Sequence, residues 1–416
     1  MKKRKFLYLG LLLSLCLLVL WGCGSSKKAA DTADKLPTSY SQALKDAKGK
    51  TVTYYGYGGS DTQNKWLDEV VAPMMKAKGV TLKRVPMDID TILNKLTNEK
   101  EANKTSGNMD VLWINGENFY NAKKLNLLDG PVDGKIIPNM AKYINSSDLD
   151  VKKDMNVAID HLEVPYGNAQ FVFVGSQSMF NGDYPTSAEK MLTWAKANPG
   201  KLTYVAPPDF TGSAFVRNII YETVGYKALN DAPATKAGIY KVIKPSLDYL
   251  NELKPYLWSE GKTYPKTTAQ MDKMFADHQI AMTFSYNQMY AATQKKAGVF
   301  TDDAQTFVFD KGTIGNYNYL AIPKTAPDKA AAVVLINTML SQKAQTERLK
   351  LKYGAVVPPY SAAKMPSAMT EKINATAETD HTLTTQTLAD KRLPEVSGKK
   401  IPIIESLWKE YVLNAD

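Results

Sequence analysis

The run Asp110-Val111-Leu112-Trp113-Ile114-Asn115-Gly116-Glu117-Asn118-Phe119 constrains the chain more than any other stretch. Its apolar part has the length and character of a strand buried on both faces of a parallel sheet. Polarity then switches at once. Asn115 and Gly116 make a turn, and Glu117 and Asn118 open a helix that buries Phe119. In open α/β sheets, ligands sit in the crevice beyond the carboxyl ends of the strands. The run therefore offers an amide, a flexible glycine and a carboxylate to a small molecule. The same residues also suit a simpler purpose, since Asn-Gly makes turns and an acid in the first turn offsets the helix dipole.

The segments before this run repeat its logic. A short helix around Tyr40 to Ala47 precedes a strand at Thr51 to Tyr55, which enters Gly56-Tyr57-Gly58-Gly59-Ser60-Asp61. A helix follows with Trp66, Val70 and Met74 on one face; Pro73 should kink it and Gly79 end it. The glycine spacing is neither a Rossmann nor a P-loop pattern, and no lysine stands where a P-loop needs one. A strand from Thr81 to Val85 and a helix carrying Ile89, Ile92, Leu93 and Leu96 complete a βαβαβα start, the opening of a doubly wound lobe.

Near Val164-Pro165-Tyr166-Gly167 the pattern becomes a strand broken by Pro and Gly, followed by a strand from Phe171 to Val174. Thr186-Ser187-Ala188-Glu189 is a capping box for the next helix. A strand from Leu202 to Ala206 should then lead through Pro207-Pro208-Asp209-Phe210-Thr211-Gly212-Ser213 into a helix, the arrangement of the first half repeated. Strands follow at Ile280 to Phe284, before Ser285-Tyr286-Asn287, and at Thr306 to Phe309. A long extended run from Gly312 to Pro323 contains Asn316 and Tyr317. One helix is expected from Pro327 through Leu340 to Arg348, a rigid loop from Tyr353 to Tyr360, and terminal helices around Met365 to Ala375 and Pro402 to Leu413.

The first residues are those of an export signal: Lys2, Lys3, Arg4 and Lys5, an apolar run from Phe6 to Trp21, then Gly22 and Cys23. The run is short of the roughly 20 residues of a spanning helix. Leu20-Trp21-Gly22-Cys23 resembles a bacterial lipobox, in which the cysteine is lipidated; Trp21 departs from the smaller residue usual there. The stretch to Pro37 reads as a tether, with a reach of about 20 Å as a flexible coil. The chain has 2 cysteines, Cys16 and Cys23, so after processing no free thiol is left for a disulfide, a zinc site or a nucleophile. Of the net charge of +10, four units belong to the residues before Cys23, and the remainder is too diffuse to argue for nucleic acid.

Catalytic signatures are absent: there is no G-x-S-x-G, no H-E-x-x-H, and His161, His278 and His381 are scattered. What recurs is polar residues and tyrosines directly after strands. The clusters are Tyr55, Tyr57, Gly58, Gly59, Ser60 and Asp61; Asn115, Gly116, Glu117 and Asn118; Asp209, Thr211, Gly212 and Ser213; Ser285, Tyr286 and Asn287; and Asn316 and Tyr317. Each cluster alone is also turn or cap chemistry. Five at one topological position point to a shared cleft.

Trp113-Ile114-Asn115-Gly116-Glu117-Asn118-Phe119 resembles the signature of the YnjB-like branch of the extracellular solute-binding proteins that serve ABC importers, and the resemblance runs from about Thr51 to the last helix. It implies a type II periplasmic-binding-protein-like α/β fold, two doubly wound lobes around a ligand cleft, with Tyr166 near the crossing between them. The expected organisation is a signal peptide over 1–22, a lipidated tether over 23–37, lobe 1 over 38–165 and about 315–350, and lobe 2 over 166–314. Residues 351–416 should pack near the hinge, on a lobe left open. The implied function is a monomeric, membrane-anchored receptor outside the cytoplasmic membrane, handing a small molecule to ABC permease subunits, without cofactor, metal or nucleic acid. A ligand-sensing lipoprotein for a signalling receptor and an envelope enzyme on the same fold are the alternatives.

The ligand expectation has two halves. Carboxylates at Glu117, Asp61 and Asp209 with aromatic faces at Tyr55, Tyr57, Tyr286 and Tyr317 favour an organic cation. Helix N-termini at Ser60 and Ser213 favour an anionic group. Thiamine or a phosphate ester of it would satisfy both, a polyamine is the other organic cation expected, and iron and simple oxyanions are the alternatives.

Overall fold

A computed structural model describes residues 35–147 and 149–415. The expected signal peptide, Cys23 and most of the expected tether lie outside the described residues.

The first three strands form where the sequence places them: β1 (Thr51–Gly56), β2 (Thr81–Pro86) and β3 (Val111–Ile114). β1 pairs in parallel with both of the others, Tyr54 opposite Arg84 on one side and Val111 on the other. Helices Asp61–Trp66, Ala72–Lys76, Ile89–Glu101 and Gly116–Lys124 connect and flank them. Pro73 interrupts the regular ladder without ending the helix, which resumes α form over Ala72–Lys76. The turn before it, Leu67–Val71, widens to π form, and the Ala72 N–H reaches back to the Leu67 carbonyl.

A long ribbon completes this sheet. β4 (Glu163–Gln170) runs antiparallel to β8 (Thr313–Ala321), with Tyr317 opposite Asn168 and a register shift between Asn318 and Tyr319. Pro165 and Gly167 therefore do not break the strand; it bulges between them at Tyr166, which has no residue opposite on β8. β8 also lies antiparallel to β3, Tyr319 opposite Ile114. The sheet is mixed, in the order β9 (Arg392–Leu393), β8, β3, β1, β2, with β4 on β8.

The ribbon joins two hydrophobic cores. Val164, Tyr166, Tyr319 and Leu320 belong to the first, with Trp66, Leu112, Phe119 and the Lys329–Met339 helix. Phe171 and Ile314 belong to the second. There β5 (Val172–Ser176) is the middle of three antiparallel strands, between β6 (Met282–Ser285) and β7 (Ala304–Phe307). Aromatic packing fills this core, with Phe173 stacked on Phe307 at 4.9 Å and Tyr204 on Phe215 at 4.6 Å.

Two further expectations need correction. The Leu202–Ala206 strand is a buried segment with a single bridge, Leu202 to Leu257; its apolar run records burial, and β5 already has a strand on each edge. The repeat of the first half therefore keeps its loop and helix and loses its strand. The helix expected from 327 to 348 is two, Lys329–Met339 and Gln342–Arg348, because Ser341 caps the second by accepting the Ala344 N–H. The C-terminal segments divide: Met369 and Ile373 pack with Tyr143, Val357 and Tyr360, whereas Ile404, Leu407 and Trp408 enter the second core.

Candidate functional site

Elements of both cores meet at a cavity of about 580 Å³. The ends of β3 and the Gly116–Lys124 helix contribute Trp113, Asn115, Glu117 and Asn118; the Phe210–Thr223 helix contributes Phe210, Ser213 and Arg217. Tyr286 and Asn287 follow β6, Asn316 and Asn318 come from β8, and Glu405 comes from the last long helix. This volume suits a small organic molecule.

Glu117 opens its helix on the exposed side while Phe119 is fully buried beneath it. Asn115 is the N-cap residue, but its side chain makes no cap bond. The Asp154 carboxylate accepts the Gly116 N–H instead and holds the turn. Gly116 has φ +58°, a conformation that costs glycine least, and a Cβ there would meet Met155 at 2.6 Å. The turn is thus fixed from behind, with the Asn115 amide and the Glu117 carboxylate on the cavity side.

Glu405 faces the same space. On the Ile401–Trp408 helix, Ile404, Leu407 and Trp408 go into the core, whereas Ile401, Pro402 and Glu405 line the cavity. Burial pushes the Glu405 carboxyl above its ordinary range; a hydrogen bond with the Ser213 hydroxyl and the Arg217 charge oppose this, and the nearby charge of Glu117 adds to it. Two carboxylates therefore share one cavity. Its aromatic surfaces are Trp113, Phe210 and Tyr286, with the last two rings 5.0 Å apart and Phe210 48% exposed at the lip. Trp113 is held by its Nε1–H, which donates to Asn318 Oδ1 at 3.0 Å. Arg217 is buried and spoken for, bonding Ser213 Oγ at 2.7 Å and Glu395 through two contacts of 3.0 Å.

The expected residues divide clearly. Asn115, Glu117, Asn118, Ser213, Tyr286, Asn287 and Asn316 line the main cavity. Tyr57, Ser60 and Tyr166 line an adjoining hollow of about 430 Å³, which shares Trp113 and Asn318 with it. Tyr317 lines a third hollow, which shares Asn168 with the main cavity, and stacks under Arg392 at 4.8 Å. Gly58, Gly59, Asp61, Gly116, Asp209, Thr211, Gly212 and Ser285 line none of these.

Several of these have structural work to do. Asp209 is a helix cap: its Oδ1 accepts the Thr211 and Gly212 N–H groups at 2.9 and 3.0 Å and the Thr211 hydroxyl at 2.6 Å. It is not a ligand carboxylate of the cavity, and because it consumes those donors the helix N-terminus by Ser213 is no free anion site either. Gly212 permits close packing, since a Cβ would meet the Val205 carbonyl oxygen at 2.0 Å. Ser285 accepts the Asn287 N–H. Ser60 caps its own helix by accepting the Gln63 N–H, and Tyr55 is buried in the first core.

Sequence reading missed Trp113 as a wall, Phe210, Arg217, Asn318 and Glu405. Only Glu405 left a legible trace, as the one acid in the otherwise apolar face of Ile401-Pro402-Ile403-Ile404-Glu405. Among the described residues, no helix is long and apolar enough to cross a membrane, and no cluster of three or more His, Cys, Asp or Glu could hold a metal ion.

A mixed sheet and an antiparallel sheet, joined by a paired ribbon around a walled cavity, define a two-lobed solute-binding fold. The sequence pattern of the family described as bacterial extracellular solute-binding protein matches residues 69–377, and the chain belongs to that family. It is 34% identical to protein YnjB of Escherichia coli (strain K12) over 314 residues, which are 75% of this chain and 80% of that one. Two solved structures share the fold. An ABC transporter protein from Clostridium perfringens has TM-score 0.61 at 18% identity, covering 86% of this chain and 98% of its own. The periplasmic binding protein AfuA from Actinobacillus pleuropneumoniae, with fructose-6-phosphate bound, has TM-score 0.56 at 14% identity, covering 88% and 99%. The fold is that of the type II periplasmic solute-binding proteins.

Proposed function

We propose that this chain captures an organic cation in the cavity between its two cores and delivers it to an ABC permease, anchored to the outer face of the cytoplasmic membrane by lipid on Cys23. One observation carries the ligand class: Glu117 and Glu405 face a single cavity whose walls are Trp113, Phe210 and Tyr286. A cation there gains charge-assisted hydrogen bonds to carboxylates and cation–π contact worth ~0.5–2 kcal/mol per ring. It also relieves the repulsion between the two acids, which a simple anion would worsen. Amides at Asn115, Asn118 and Asn316 supply direction, as the few polar groups of a ligand pocket do. Thiamine, a phosphate ester of it, or a polyamine meets these demands. Capture would proceed by closure of the lobes 38–165 with 315–350 and 166–314 about the β4–β8 ribbon, since a ligand touching both sides favours the closed state.

Native mass spectrometry of the full chain extracted from its host membrane tests both halves. The expected spectrum shows a chain starting at Cys23 with a diacylglycerol adduct, carrying a small organic molecule that is positively charged in solution. A chain that keeps residues 1–22, or one that carries only sulfate, phosphate or ferric iron, contradicts the corresponding half.

A further inference from the structure

Arg348 ends the Gln342–Arg348 helix and is 2% exposed, yet it lines the hollow adjoining the main cavity. Its guanidinium lies between two rings, 4.5 Å from the centre of Trp66 and 4.8 Å from that of Tyr166. Its hydrogen bonds go to neutral oxygens only: one terminal nitrogen donates to the Tyr166 carbonyl at 2.9 Å and the other to Gln63 Oε1 at 2.7 Å. Nε has no hydrogen-bond partner among the described residues, and no carboxylate among them forms an ion pair with Arg348. Arg217, the comparable buried arginine of the second core, has Glu395 as its counter-ion.

A buried cation held only by neutral dipoles is costly unless an opposite charge arrives. The two rings offset part of that cost. The rest of the hollow is suited to an oxyanion: Tyr57 and Ser60 line it, and hydroxyls donate to anionic oxygens. Asp88, the one acid on its lining, is exposed at the rim. Trp113 and Asn318 line this hollow and the main cavity alike, so one molecule can extend from one into the other.

We propose that Arg348 is the anchor of an oxyanion subsite, taking a phosphate ester or carboxylate. Combined with the cation reading above, on which this second step rests, the ligand is amphoteric: its positive end lies between Glu117 and Glu405 and its negative end against Arg348. The helix N-terminus by Ser213 does not provide this function, because Asp209 takes its Thr211 and Gly212 N–H groups.

The test uses inorganic phosphate and malonate as separate probes, titrated calorimetrically into the full chain in detergent. Phosphate binding without malonate binding identifies a phosphoryl subsite, and the reverse a carboxylate subsite. Arg348→Met should weaken the bound probe at least tenfold. Since that variant disturbs the packing between Trp66 and Tyr166, Gln63→Glu provides a second route. It is isosteric and places a carboxylate on the guanidinium, so it should raise the melting temperature and weaken the same probe at least tenfold. Failure of both probes on the wild type, or binding unchanged in Gln63→Glu, overturns the subsite. Thiamine, titrated in parallel, reads the cation end alone, so loss of that reading leaves the phosphate and malonate result standing or falling by itself.

Discussion

Arg217 lies one helical turn beyond Ser213, fully buried under the cavity floor, and meets Glu395 through two parallel contacts of 3.0 Å. Removing one partner of such a pair leaves an uncompensated charge in a low-dielectric site, at a cost of about 3–5 kcal/mol. Glu395→Ala should lower unfolding stability by that amount in urea titration, whereas a loss below about 1 kcal/mol, the worth of an exposed pair, would mean that solvent reaches the site. The two acids Asp209 and Glu405 show what residue types alone convey. An aspartate before a helix is equally a cap and a ligand group until the positions of the Thr211 and Gly212 N–H groups are known, and here they take its oxygen. Glu405 reaches the cavity from the far end of the chain, through a tertiary approach that no local pattern encodes. Glu117 was legible because the end of a parallel strand fixes where the next residues point.

At the scale of elements, the turn after β3 depends on a buried acid. Asp154 accepts the Gly116 N–H, and burial raises its pKa from 3.8 to about 7, despite the opposing backbone hydrogen bond. A folded-state pKa above the unfolded value means that the folded state holds the proton more tightly. The resulting stability is present below about 3.8 and is lost as pH rises towards about 7. Asp154→Asn carries no such proton, so its melting temperature relative to wild type should rise between those limits. A constant difference across that range would show that Asp154 is ionised in the fold throughout. The strand β3 was legible as an apolar run before a turn signal, β1 and β2 as short segments between turn residues, and β8 as a long extended run. The segment from Leu202 was not, because burial and pairing give the same apolar signature and only the second requires a free neighbouring edge. The break at Ser341 was readable in principle, as a cap residue between helices, but helix-forming residues on both sides concealed it.

For the whole molecule, two cores joined by one antiparallel ribbon place acids from distant segments across a common space. Glu117 belongs to the helix after β3 and Glu405 to a helix packed in the second core, so neither side alone completes the site. This is the arrangement in which a ligand can couple affinity to closure. The family and the fold were readable from one ten-residue run because its strand, turn and helix together carry both architecture and site. The ligand class was not readable, since the groups that line the cavity converge only in three dimensions. The most direct test is calorimetric titration of thiamine, its phosphate ester and spermidine, with sulfate and ferric citrate as competitors, into wild type, Glu117→Gln and Glu405→Gln. At least one organic cation should bind the wild type and lose tenfold or more in each variant, the expected loss for a charge-assisted contact of about 1.5–3 kcal/mol. Binding of sulfate or ferric citrate alone, or a cation affinity unchanged by Glu117→Gln, would contradict it.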